Sequence, residues 1–219
     1  MLVHSLKRAG AIIIAKTNVP MSMLLGITTN NIVGSTLNPL NRVLSAGGAS
    51  GGEGALLALG GSPLGWGTDI AGSVRIPSSF CGLWGMRPSF GRISGSGIEK
   101  ILPGLPIGMS VVGPMARDLE TLVMAVKWAT GLCSWRDDPD VVDLAWREQM
   151  FTEVEEIKTG LVFGILKSDG TVTPHPPILR AMEIVEDALR QKGHEVLEWD
   201  PPSHSEAADI LVRERVPKF

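Results

Sequence analysis

Cysteine and histidine are scarce in this sequence, and neither is arranged to hold a metal ion. The 219 residues contain two cysteines, and no CxxC or HExxH spacing occurs. Two cysteines in a chain of this length do not make a disulfide framework, so we expect a reducing compartment. The four histidines are scattered and belong to no motif, which leaves no Ser-His-Asp arrangement to propose. We therefore predict neither a bound metal nor a cofactor.

The sequence also lacks a strong charge and a long apolar run. Its formal net charge is −3, and beyond the pair Lys7-Arg8 no basic patch stands out, so nothing indicates binding to nucleic acid. The apolar run at 11–15 is too short to span a membrane and lacks the layout of a signal peptide. The phosphate-binding pattern GxxxxGKS/T is absent, and no GxGxxG lies between a strand and a helix. We expect a soluble cytoplasmic protein with no membrane or nucleic-acid partner.

Helical and strand patterns alternate along the chain, which favours an α/β fold. The β-branched run at 11–15 predicts a strand buried on both faces. The stretch 30–54, rich in Asn, Gly, Ser and Pro, predicts a long irregular loop. Helices are predicted at 1–10, 51–59, 75–81, 118–130, 176–192 and 205–215, and strands at 64–68, 161–166 and 195–199. We predict a single domain over 1–219, in which a mixed sheet is covered by helices.

Three segments rich in glycine and serine carry the predicted chemistry: 47–55 (GGASGGEGA), 65–77 (GWGTDIAGSVRIP) and 80–92 (FCGLWGMRPSFGR). In the turn 69–73, small residues allow successive backbone N–H groups to converge on one point. Such a nest binds an anion or the oxyanion that forms during attack on a carbonyl. Ser73 lies at the end of this turn, where its hydroxyl could make that attack. By composition alone, these segments are also compatible with ordinary loops or a phosphate-binding loop.

Taken in order, the three segments closely resemble the amidase signature family, whose members are Ser-Ser-Lys hydrolases of small and fatty amides. The resemblance is closest to the fungal acetamidase-like members and to those similar to fatty acid amide hydrolase. It continues through further segments along nearly the whole chain: 16–20 (KTNVP), 36–39 (TLNP), 108–117, 174–177 (PHPP) and 193–202. It implies an α/β amidase signature core that is truncated at both ends relative to the family.

The resemblance assigns catalytic positions. Ser73 occupies the position of the nucleophile, and Ser50 that of the family's second, supporting serine. The backbone N–H groups of Ile70, Ala71 and Gly72 would form the oxyanion hole together with that of Ser73. The family usually has glycine at the position of Ala71, so the methyl group is expected to narrow the pocket or strain the turn.

The resemblance also implies substrate-binding positions. Met23 matches a residue of the family's substrate channel. Thr68, Asp69 and Arg75 match motif positions at the substrate site, where they would hold the turn in place. A small-molecule amide or ester is the substrate class that such a site would take.

Two departures from the family concern proton transfer. The family's relay serine, which lies on a cis peptide bond, is replaced by Ala49, which has no hydroxyl. The family's catalytic lysine lies in a Ser-Leu-Lys segment well upstream of the 16–20 match, and we expect that segment to be absent because the chain begins at Met1. Lys16 is either a loop lysine at a strand end or a replacement base.

These departures leave three functional interpretations open. The chain is a hydrolase that uses Ser73 with help from Ser50 or water, or a repurposed non-hydrolytic enzyme that uses the same pocket on a secondary metabolite. The third interpretation is a catalytically inactive pseudo-amidase or binding module. Truncation would expose sheet edges or apolar surface, so we also predict a homo-oligomer that covers them.

Overall fold

The computed structural model describes residues 1–99 and 110–215, with side chains up to residue 210. The chain divides into two compact units, Met1–Trp146 and Arg147–Phe219. Both contain helices and strands, so the predicted α/β class is confirmed, while the single domain over 1–219 stays a prediction. The first two residues of the matching segment 108–117 lie outside the described part. No described helix is long and apolar enough to cross a membrane.

The first unit holds most of the regular structure. In chain order its described elements are α1 (Leu2–Arg8), a 3₁₀ turn (Met21–Met23), β1 (Thr29–Asn30), β2 (Gly34–Ser35), β3 (Leu37–Asn38), β4 (Asn41–Ser45), α2 (Gly51–Ala58), β5 (Leu64–Asp69), α3 (Arg75–Phe80), β6 (Trp84–Gly85), β7 (Val111–Ala116), α4 (Leu119–Gly131) and a second 3₁₀ turn (Ser134–Arg136). The helices predicted at 51–59, 75–81 and 118–130 are confirmed, as is the strand predicted at 64–68.

Strand β7 is the middle strand of a three-stranded antiparallel sheet, with β5 on one side and β6 on the other. Every residue of β7 is buried. Buried and half-buried residues alternate along β5, and Gly65 and Gly67 are among the buried ones, as expected where one face of a strand is covered. Three side chains form a fully buried cluster at this sheet: Leu57, Val74 and Met115.

The prediction of a buried strand at 11–15 is wrong. These residues belong to no strand, and Ile12 is 87% exposed. A β-branched run forms a strand only where a neighbouring strand takes up its backbone hydrogen bonds. None of the strands in the described part of the chain pairs with this run.

The stretch 30–54 is not irregular throughout, because it contains two antiparallel hairpins, β1–β2 and β3–β4. Asparagine side chains close both turns. Asn30 Oδ1 accepts hydrogen bonds from the backbone N–H groups of Ile32 and Val33, and Asn38 Oδ1 accepts one from Leu40. The polar composition that predicted a loop therefore builds the turns between short strands.

The second unit is built on a strand–helix–strand motif. Its elements are α5 (Glu148–Glu156), β8 (Val162–Ile165), α6 (Pro176–Gln191), β9 (Glu195–Glu198) and α7 (His204–Arg215). Strands β8 and β9 pair in parallel, and α6 makes the crossover that parallel strands require. The helices and strands predicted from 161 onward are confirmed.

Gly113 in β7 leaves no room for a side chain. A Cβ atom there would overlap the carbonyl oxygen of Met86, so Gly113→Ala is expected to lower the free energy of unfolding by about 1–3 kcal/mol. Gly131, the last residue of α4, has no atom within 4 Å of the equivalent position. Gly131→Ala is therefore the control and should be neutral or stabilising. Urea unfolding followed by circular dichroism measures both, and equal stability of the two variants would contradict the prediction.

Candidate active site

The carboxylate of Asp69 organises the turn that joins β5 to α3. Asp69 is fully buried, and its Oδ1 accepts the backbone N–H of Gly72 at 2.7 Å. Its Oδ2 accepts the backbone N–H groups of Val74 and Arg75 at 3.2 and 3.3 Å. The Arg75 guanidinium donates to both oxygens at 3.0 Å. One buried carboxylate therefore fixes the backbone on both sides of Ser73.

The pKa of Asp69 lies below its usual value. Burial alone would raise this pKa, but hydrogen bonds from Arg75, Gly72 and Val74 outweigh burial, and the charge of Arg75 adds to them. A second guanidinium, that of Arg87, lies 3.5 Å from Oδ1. The carboxylate is charged at neutral pH, and its buried charge is compensated by the donors that a buried ion requires.

The turn presents Ser73 half-buried, with a hydroxyl that bonds to no described residue. Within the same part of the chain, no acceptor takes the backbone N–H groups of Ile70, Ala71 or Ser73. Gly72 differs, because its N–H already donates to Asp69. Open N–H groups on neighbouring residues beside an open hydroxyl are what a site needs to hold a carbonyl oxygen during nucleophilic attack.

Glycine is required at position 72 but not at position 71. Gly72 has a φ of +129°, and a Cβ there would lie 2.7 Å from Ile76 Cδ1. Ala71 is exposed and is not among the residues with positive φ. Its methyl group therefore does not strain the turn, and narrowing of the pocket is the consequence that stays predicted.

The glycine-rich segment 47–55 lies directly against this turn. The backbone N–H of Ser50 donates to the Ser73 carbonyl at 3.2 Å, and a Cβ at Gly48 would lie 3.2 Å from Ser73 Cα. The buried Ser50 hydroxyl accepts the Thr68 N–H at 3.2 Å. Gly67 permits this approach, since a Cβ there would lie 2.5 Å from Ser50 Oγ. The two serine segments thus meet through the backbone, while the Ser50 hydroxyl bonds to β5 rather than to Ser73.

The four predicted substrate-binding residues are placed differently from one another. Asp69 and Arg75 bond to each other, and Thr68 bonds through its backbone to Ser50. These contacts hold the turn, as the resemblance implies. Met23 is half-buried in the first 3₁₀ turn and has a positive φ of 52°. Contact of any of the four with a substrate stays a prediction.

No hydrogen bond connects a base to Ser73 within the described residues. Ala49 is buried, and the peptide bonds beside it are trans. Lys16 is exposed and makes no hydrogen bond or ion pair in that part of the chain. Sequence reasoning overlooked Ser5-Leu6-Lys7, which has the residue order of the family's lysine segment. This triplet lies in helix α1, however, and the Lys7 side chain is exposed and makes no hydrogen bond or ion pair among the residues described.

Sequence reasoning also missed Glu53, whose carboxylate ties the 16–20 segment to α2. Its Oε2 accepts the Thr17 hydroxyl at 2.7 Å. Burial raises the pKa of Glu53, while hydrogen bonds from Thr17 and the Trp66 backbone oppose the rise. A Cβ at Gly65 would overlap this carboxylate. The signal in the sequence is a single acidic residue inside a run of small ones.

Comparison with known proteins identifies the family of this chain. The protein-family model described as Amidase matches residues 1–218, and the chain belongs to the amidase family. Amidase 1 of Gibberella moniliformis is 45% identical over 211 residues, which cover 96% of this chain and 40% of that protein. Acetamidase of Aspergillus oryzae is 40% identical over 212 residues, covering 96% of this chain and 39% of that protein. The chain thus spans about two-fifths of the length of these relatives.

Solved structures show the same fold. Fatty acid amide hydrolase aligns with a TM-score of 0.89 and 33% identity, covering 97% of this chain and 37% of that chain. A bacterial aryl acylamidase of the amidase signature enzymes aligns with a TM-score of 0.80 and 26% identity, covering 97% of this chain and 43% of that one. The resemblance predicted from the three segments is confirmed.

Removal of the Asp69 charge is expected to destabilise the first unit. Asp69→Asn weakens charge-assisted hydrogen bonds and should lower the free energy of unfolding by about 1.5–3 kcal/mol in a urea titration. The folded-state pKa is depressed below 3.8, so the stabilisation by this group is fully present above that pH and is lost as pH falls through the folded-state value. Wild type should therefore lose more stability than Asp69→Asn between about pH 7 and about pH 3. Equal acid sensitivity of the two proteins would contradict this role.

Proposed function

We propose that the chain uses Ser73 as the nucleophile that hydrolyses a small-molecule amide or ester. The supporting observation is the open Ser73 hydroxyl beside backbone N–H groups, those of Ile70 and Ala71, that have no acceptor among the described residues. Ser73 Oγ bonds to the carbonyl carbon, the bond to the amine or alcohol breaks, and the leaving group departs with the proton. Water then attacks the acyl group, releases the acid and returns the proton to Ser73.

In this proposal the oxyanion is held mainly by the N–H groups of Ile70, Ala71 and Ser73. The N–H of Gly72 contributes only by sharing its hydrogen with Asp69. Donors fixed before the substrate arrives stabilise the developing charge without a cost of reorganisation. The exposed Ala71 methyl would narrow the pocket and favour small substituents on the carbonyl.

The names of the relatives support the class of substrate. Acetamidase and fatty acid amide hydrolase are both named for amides, and the relatives reported above include fungal proteins. Because the chain spans about two-fifths of such relatives, hydrolysis by the whole protein is itself part of the proposal. Small amides and esters are the first substrates to test.

Proton transfer is the demanding step. Ala49 has no hydroxyl, and the Ser50 hydroxyl is engaged with the Thr68 backbone. Ser50 or a water molecule would have to assist Ser73. Since a positioned general base contributes about 10²–10⁴-fold, we expect turnover slower by up to a factor of this size than in a relative that keeps the relay serine.

A second candidate function is recognition of a carbonyl without hydrolysis. Ala49 favours it, because the loss of the relay hydroxyl leaves the oxyanion site in place but removes the path for the proton. The pocket would then act on a secondary metabolite without a covalent intermediate, or would serve as the binding site of an inactive pseudo-amidase.

Covalent labelling separates these candidates. A fluorophosphonate probe is expected to add to wild type once per chain, because Ser73 attacks phosphorus as it attacks a carbonyl. Ser73→Ala should abolish the mass increase seen by intact-protein mass spectrometry. Ser79→Ala is the control, since Ser79 is an exposed serine of α3, and it should label like wild type. Absence of labelling in wild type, or labelling that survives Ser73→Ala, would contradict covalent hydrolysis.

We also propose a cytoplasmic homo-oligomer. Ile12, Ile32 and Val43 are 87, 94 and 87% exposed, and an oligomer would cover apolar side chains of this kind. Cys81 and Cys133 are both free thiols, which fits a reducing compartment. Small-angle scattering should give a mass of at least two chains. A monodisperse monomer would contradict the oligomer.

A further inference from the structure

The side chain at the start of helix α2 does not cap it. An N-cap serine ordinarily accepts a hydrogen bond from a backbone N–H in the first turn. Ser50 occupies the N-cap position but makes no such bond. Its hydroxyl accepts the Thr68 N–H at 3.2 Å and donates to the Thr68 carbonyl at 3.4 Å. The natural capping hydroxyl is therefore committed to strand β5.

Thr28 bonds to the start of the same helix from a distant segment of the chain. It is 1% exposed, and its Oγ1 accepts the Gly51 N–H at 2.9 Å and donates to the Gly48 carbonyl at 2.7 Å. The Gly51 N–H is one of the groups that the start of a helix leaves unpaired. A Cβ at Gly51 would overlap Thr28 Oγ1. One hydroxyl thus binds the backbone on both sides of Ala49 and Ser50.

Backbone hydrogen bonds hold Thr28 in this position. The Gly48 N–H donates to the Gly26 carbonyl at 2.8 Å, and the Thr36 N–H donates to the Thr28 carbonyl at 2.9 Å. The segment that carries Thr28 therefore runs beside the glycine loop at fixed distance. A buried hydroxyl with both of its bonds made and its backbone fixed has no competing orientation.

We propose that Thr28 is a positioning residue that keeps the Ser50 hydroxyl on strand β5 and thereby holds the turn of Ser73. Thr28 bonds to the Gly48 carbonyl and to the Gly51 N–H, so it fixes the backbone on both sides of the residue that carries the Ser50 hydroxyl. Without the Thr28 hydroxyl, the Gly48 carbonyl and the Gly51 N–H lose their shared partner, the backbone that carries Ser50 shifts, and the Ser50 hydroxyl releases Thr68. Thr68 directly precedes Asp69 in the chain, so the change reaches the carboxylate that shapes the turn. Only the effect on Ser73 reactivity rests on the proposed function.

Hydrogen exchange tests this inference in the folded chain. In Thr28→Val, which removes the hydroxyl and keeps the volume, the Thr68 amide should exchange about tenfold faster, as expected for the loss of one hydrogen bond. Thr28→Ser keeps the hydroxyl and should exchange like wild type. In a Ser50→Ala background, Thr28→Val should change Thr68 exchange by less than about twofold, because no Ser50 hydroxyl remains to move.

The opposite results are equally clear. Faster exchange at Gly51 with unchanged exchange at Thr68 would make Thr28 a local cap and overturn the proposal. An equal effect of Thr28→Val on Thr68 exchange with and without the Ser50 hydroxyl would also overturn the proposal. If Thr28→Val does not fold, Thr28→Cys retains a weak donor of similar size and should shift Thr68 exchange in the same direction by a smaller factor. Unchanged exchange in that variant would also overturn it.

Fluorophosphonate labelling adds the link to reactivity. Thr28→Val should slow labelling of Ser73 several-fold, and Thr28→Ser should restore the rate. A wild type that takes no label refutes Ser73 as a nucleophile, while the exchange measurements still decide the role of Thr28. Unaltered labelling together with altered Thr68 exchange would overturn the link between Thr28 and the turn of Ser73.

Discussion

The turn around Ser73 takes its shape from the buried carboxylate of Asp69, which accepts hydrogen bonds from the backbone on both sides of the serine. Three backbone N–H groups and a guanidinium converge on Asp69. The carboxylate depends on the turn in return, since a charge without solvent contact is tolerated only when hydrogen-bond donors surround it. Contacts within the protein therefore set the shape of the turn, and N–H groups fixed in this way are what the proposed oxyanion site needs.

In the proposed function, substrate binding and proton transfer have separate physical bases. Carbonyl binding would depend on backbone groups of the turn that Asp69 and close glycine contacts hold in place. Proton transfer would depend on the side chain at position 49 and on a base. The turn at 69–73 can keep its shape without a relay hydroxyl at position 49. The geometry is therefore compatible with both a slow hydrolase and a carbonyl-binding protein.

Much of the fold could be predicted from the sequence, because the strongest patterns are local. The helix 176–192 and the strand 64–68 follow from periodicity and from the residues at their ends. The prediction at 11–15 was wrong because a β-branched run indicates a tendency to form a strand but not whether a neighbouring strand is available to pair with it. The hairpins within 30–54 were missed because asparagine is frequent both in irregular loops and in the tight turns of hairpins, so composition does not distinguish the two.

The candidate site was predicted only in part, for a related reason. The motif and its family resemblance located Ser73, Ser50 and the residues of the turn. They did not reveal that the Gly72 N–H is already occupied by Asp69, or that Thr28 binds the glycine loop across 23 positions of sequence. Such contacts depend on how distant segments pack, and no local pattern encodes them.

The close glycine contacts affect how the evolution of this chain should be interpreted. Side chains at Gly48, Gly67 or Gly72 would collide with Pro77, Ser50 or Ile76, so selection for folding alone preserves these glycines. Ala49 is buried, and because alanine is smaller than serine, replacement of a serine at this position adds no steric overlap. A family member that no longer hydrolyses its substrate would therefore retain the same glycines as an active enzyme. The glycine signature therefore indicates the family from which the protein descends, whereas the residue at position 49 bears more directly on whether hydrolysis is retained.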